Sequence, residues 1–104
     1  MKKVYNKLVR DKIPDIIAAD GKKFKTRILN KEEHLKELIK KLTEEAKELE
    51  ASPGIEELAD IKELVISIRE TLKIRAGELE EMRRQKAAER GRFKKQIFLI
   101  ESEE

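Results

Sequence analysis

Cysteine is absent from this 104-residue sequence, which excludes disulfides and thiolate metal sites. The single histidine, His34, reads as a surface residue and leaves no set of imidazoles for a zinc centre. Any metal would therefore be a hard cation held by carboxylates. Tryptophan is missing too, and one tyrosine and three phenylalanines are all the aromatic residues there are. With 45% of the residues charged, the core of one chain is thin, so a homodimer or homotetramer is expected. No apolar run is long enough to span a membrane, and the first residues lack the apolar stretch of a signal peptide. The chain reads as cytosolic, with no membrane partner. Neither sign of charge dominates: 25 basic and 22 acidic residues leave a net +3, too small to indicate a nucleic-acid binder.

What is present reads as one domain over residues 1–104, without repeats or a linker. Asp11 is placed to cap a short helix with Pro14 in its first turn, burying Ile13, Ile16 and Ile17 and ending near Gly21. Residues 23–29 alternate, with Phe24, Thr26 and Ile28 on one side, and predict a short strand. Asn30 and Glu33 form a capping-box signature before a long helix with an apolar face of Leu35, Leu38, Ile39, Leu42, Ala46 and Leu49. Ser52-Pro53-Gly54 breaks that helix, and Pro53 suits the first turn of the next. A second, more apolar helix runs from Ile55 to about Leu72. After a turn at 75–77, a basic helix is expected from about Glu78 to Arg90, stopped by Gly91. The stretch 93–101 alternates enough to pair with 23–29. The expected fold is all-α: an antiparallel helical bundle with a small two-stranded sheet, completed by oligomerisation.

The break at 52–54 makes the two long helices antiparallel. Counted outward from the turn, Glu48 falls opposite Glu57, and Glu45 opposite Asp60. Glu45 sits at the edge of the leucine face with Glu48 one turn on, Glu57 falls inside the apolar arc of its helix, and Asp60 lies at its border. In a chain with 22 acidic residues, an E-x-x-E ordinarily marks a solvated face, and Lys62 or another lysine is available to pair with Glu57. Four carboxylates converging between two helices nevertheless repel one another and resist desolvation. A divalent cation removes that conflict, and all-oxygen ligands suit Mg²⁺, with Mn²⁺ as the second candidate.

The stretch Glu44-Glu45-Ala46-Lys47-Glu48, followed by Glu57-Leu58-Ala59-Asp60, resembles the E-E-x-x-E, loop, E-x-x-D pattern of the MazG-like all-α nucleoside triphosphate pyrophosphohydrolases. That superfamily includes phosphoribosyl-ATP pyrophosphohydrolase. A subgroup also opens with a near YNKLVRDKIP, found here at Tyr5 to Pro14. It closes with a pattern matched here by Lys86, Arg90, Gly91, Phe93, Lys95, Ile97, Phe98 and Leu99. Two departures stand out: the spacer between Glu48 and Glu57 is short for the family, and Arg92 replaces the second glycine of the closing pattern. The resemblance implies metal ligands at Glu45, Glu48, Glu57 and Asp60, with Glu44 a neighbouring acid that serves as base or supports the ligands. It implies cleavage of a nucleoside triphosphate, or of phosphoribosyl-ATP, between the α and β phosphates, including clearance of non-standard nucleotides.

A triphosphate also needs cations. Arg83, Lys86 and Arg90 share a face of the last helix with Leu79 and Met82 and are candidates for phosphate, although such residues also snorkel or pair with acidic surfaces. Lys7 and Arg10, in the opening motif, are further candidates for the substrate. Tyr5 and Phe93 are able to stack on a base, though lone aromatics more commonly pack in a core. Two other functions compete with the enzyme: a non-catalytic helical dimerisation or scaffold module with a degenerate metal site, and, more weakly, nucleic-acid binding through the basic helix.

Overall fold

The structure is a computed structural model and describes residues 1–103. The chain divides into two compact units, Met1–Lys73 and Ile74–Glu104. The described residues form four helices and no strand, so the all-α expectation holds. None of these helices is long and apolar enough to cross a membrane.

The first unit holds α1 (Ile13–Ala19), α2 (Lys31–Ala51) and α3 (Ile55–Thr71). Helix α2 starts where the sequence places it. Asn30 Oδ1 accepts from the Glu33 N–H at 2.9 Å, and Glu33 accepts from the Asn30 N–H at 3.2 Å. The two long helices are joined through Ser52, Pro53 and Gly54 and pack on each other, and each contributes one buried leucine, Leu38 on α2 and Leu64 on α3. These two leucines, 3% and 7% exposed, are the only buried apolar side chains among the described residues. The rest of each apolar stripe is half-buried or open.

Several local expectations are corrected. Asp11 does not cap α1: Lys12 occupies that position without a side-chain bond, and the Ile13 N–H closes a turn onto the Arg10 carbonyl instead. Pro14 does lie in the first turn, but Ile16 is exposed and Ile13 and Ile17 are only half-buried. Residues 23–29 form no strand, and Arg27 directs its guanidinium onto Glu33 at the start of α2, 2.8 Å from Oε2. Residues 93–101 form none either. Alternation supplies a two-faced segment but not the neighbouring backbone that a ladder requires, and an isolated pair of strands is marginal in water. Pro53 precedes the N-cap, Gly54, rather than entering α3.

The second unit holds α4 (Ala76–Arg90), which starts earlier than Gly77 suggested. Glu78 accepts from the Arg75 backbone N–H at 3.2 Å and from Nε at 2.9 Å, and this closes the first turn around the glycine. Gly91 ends the helix at φ 81°, a left-handed conformation that other residues adopt at a cost.

With so small a core, its two central leucines dominate stability. Leu38→Ala is expected to cost about 2–5 kcal/mol. Asn30→Ala, which removes the cap, is expected to cost about 1 kcal/mol. Urea denaturation followed by circular dichroism measures both losses.

Candidate carboxylate site

Glu44, Glu45 and Glu48 stand on the last turns of α2, and Glu57 and Asp60 on the first turns of α3. The short turn at 52–54 brings these halves together. Glu45 leans into the seam: it is half-buried, and its Oε2 is shut off from solvent without a hydrogen-bond partner. Its pKa is pushed above the ordinary glutamate value. Desolvation is the largest cause, followed by the negative charges of Glu48 and Asp60 and a proton-mediated contact with Glu48. Lys41, one turn back on α2, pulls the other way.

Of the other three expected ligands, Glu45 thus feels two, Glu48 and Asp60. Glu57 is half-buried as the apolar arc implied, but it curls back on its own N-cap, and a β-carbon added to Gly54 would lie 3.0 Å from Glu57 Oε2. No three acidic side chains are drawn together at metal-holding distances among the described residues. Their chemistry nonetheless fits a hard dication: the donors are all oxygen, and one buried oxygen lacks any partner. Glu44 is exposed beside this group.

Arg10 is the residue whose place could not be read locally. The sequence marks it for substrate, whereas the structure sets its guanidinium 2.7 Å from Asp60 Oδ1. Fifty positions separate the two, so no helical spacing announces the pair. Both are substantially exposed, so the pair orients the N-terminal segment more than it stabilises the fold. Lys7, the other N-terminal candidate, lies 5.6 Å from the centre of the Tyr5 ring, with Lys3 at 5.2 Å. Tyr5 is exposed and takes no part in a core.

In the second unit, Arg83, Lys86 and Arg90 come together as their shared face implied. They line a concavity of about 640 Å³ with Ala87, Gly91, Arg92, Phe93 and Lys94. Lys94 was not foreseen, because it lies beyond the helix whose periodicity exposed the others. Arg83 also pairs with Glu80 on its own helix at 2.7 Å, and this lowers the Glu80 pKa and raises that of Arg83. His34 is half-buried on α2 rather than fully at the surface.

No family model, curated protein or solved structure matches the chain.

The raised pKa of Glu45 has a definite sign. A carboxylate harder to ionise in the folded state binds its proton more tightly there, so stability falls as pH rises from the ordinary value of 4.5 through the folded one. Glu45→Gln is therefore expected to melt higher than the parent at neutral pH, with the gap closing below pH 4.5. Thermal melts across this range measure it.

Proposed function

We propose that the chain is a Mg²⁺-dependent nucleotide pyrophosphohydrolase, acting in the cytosol on a nucleoside triphosphate or on phosphoribosyl-ATP. The observation that carries this reading is the unpartnered, solvent-shielded Oε2 of Glu45 beside the charges of Glu48 and Asp60. A fold gains nothing from an uncompensated carboxylate in that position, whereas a cation site uses it. The resemblance of residues 44–60 and of the two terminal motifs to the MazG-like superfamily supports the same reading and supplies the substrate class.

Glu45, Glu48 and Asp60 would hold the ion, with Glu57 joining by turning away from Gly54. When bound, Mg²⁺ neutralises phosphate oxygens and makes a water more acidic. The water oxygen forms a bond to the α phosphorus. The bond from that phosphorus to the α–β bridging oxygen breaks, and pyrophosphate leaves with the electron pair. The water's proton passes to a carboxylate, for which the exposed Glu44 is available. Arg10, already on Asp60, is placed to turn to a phosphate oxygen.

A second reading, a non-catalytic dimerisation module, is favoured by one observation: Ile39, Leu58, Val65 and Leu72 on the two long helices are exposed.

Pyrophosphate release from a panel of standard and modified triphosphates, with Mg²⁺ and with EDTA, tests the enzyme. Turnover is expected with Mg²⁺ alone, and Glu45→Gln and Asp60→Asn are each expected to lower it by at least about 100-fold with the helices intact. Full activity in either variant overturns the site. Silence on the panel and on phosphoribosyl-ATP leaves the module.

A further inference from the structure

The first ten residues form no helix or strand, and all of them but Leu8 are exposed. They carry Lys2, Lys3, Lys7 and Arg10 and no acidic residue. This cationic strap meets α3 where Arg10 Nη2 donates to Asp60 Oδ1 at 2.7 Å. The two side chains are 56% and 42% exposed. Arg10 grips Asp60 by one nitrogen and one oxygen rather than as a two-pronged fork, so the tie is a weak one.

Asp60 is also a carboxylate whose charge reaches Glu45, the residue with the shielded, unpartnered Oε2. The same side chain thus faces two demands. Arg10 spreads one positive charge over a broad, weakly hydrated guanidinium. A divalent cation concentrates two charges and draws on carboxylate oxygens directly. Side by side the two cations repel, and no acid within the strap offsets that repulsion. An exposed, one-pronged ion pair is the weaker claimant of the two.

We propose that Arg10 is a latch: it holds the N-terminal strap on Asp60 in the metal-free chain and lets go when a divalent cation binds the carboxylates. The inference rests on the reading of Glu45, Glu48 and Asp60 as a cation site, and adds how that site is regulated. Coupling of this kind is reciprocal. If the ion loosens the strap, the strap weakens the ion by the same factor. The guanidinium that leaves Asp60 becomes available to an anion only once the ion is in place.

Tyr5 reports on the strap directly, because the chain has no other tyrosine and no tryptophan. Its fluorescence anisotropy in the full chain is expected to fall when Mg²⁺ is added. Asp60→Asn and Arg10→Ala are each expected to show the lower value without any ion, and no further fall with it. Arg10→Ala is also expected to bind Mn²⁺, followed by electron paramagnetic resonance, about two- to fivefold more tightly than the parent. Arg10→Lys keeps the charge and is expected to return most of the way to the parent's affinity. Lys2→Ala removes a charge from the strap without touching the latch and is expected to change neither readout. An Arg10→Ala protein with the parent's Mn²⁺ affinity overturns the latch, as does a Tyr5 signal indifferent to Mg²⁺ in a parent that binds Mn²⁺. Equal tightening by Lys2→Ala also overturns it, by showing diffuse charge at work. All three results leave the carboxylate site standing. A parent that binds no Mn²⁺ overturns the site and the latch together. Ion-free Asp60→Asn with the parent's anisotropy shows that Arg10 does not hold the strap, and that too overturns the latch.

Discussion

The packing of α2 against α3, with Leu38 and Leu64 turned inward, is the constraint from which the rest of the first unit follows. Two amphipathic helices of modest length gain little stability separately, and packing supplies most of what holds such helices. Once each helix turns its leucine inward, its rotation is set, and with it the identity of each flank. Glu45 is carried into the seam, and Glu48 and Asp60 to one border of it. Ile39, Leu58 and Val65 are turned to the other side.

That arrangement places a carboxylate where burial opposes its charge and two neighbours of the same sign add to the cost. Part of the opposing positive charge comes from near and part from far. Lys41 acts from one turn away on the same helix, and Arg10 reaches Asp60 from the N-terminal segment. An arginine beside an aspartate meets some of the need for positive charge that a dication would meet. It leaves Oε2 of Glu45 unpartnered. Acidic side chains, a nearby guanidinium and an unpartnered oxygen together are the features on which the proposed cation site rests. The second unit, taken by itself, holds a cationic concavity with Phe93 at its wall.

Stability and chemistry draw on the same short hairpin. A two-helix contact with two buried leucines is a small core for 104 residues, 45% of them charged. The exposed stripe on α3 is regularly spaced and continues into the half-buried Ile61 and Ile68.

Local physics is strong enough for the sequence alone to determine the helical class, the cap at Asn30, the break at 52–54 and the approach of Glu45, Glu48 and Asp60. Caps, breakers and the helical repeat act within a few residues of one another, and a three-residue turn carries that local order across to the next helix. The sequence did not determine the two strands, because alternation at 23–29 and 93–101 says nothing of which backbone lies alongside. It also did not determine that α4 would run through Gly77, where the Arg75–Glu78 pair prevailed over the glycine. Tertiary structure alone decided that Arg10 would sit on Asp60, that Glu57 would turn towards Gly54, and that one flank of the hairpin would be covered and the other left bare. Each of these depends on where distant segments come to rest, and helical periodicity carries no information about that.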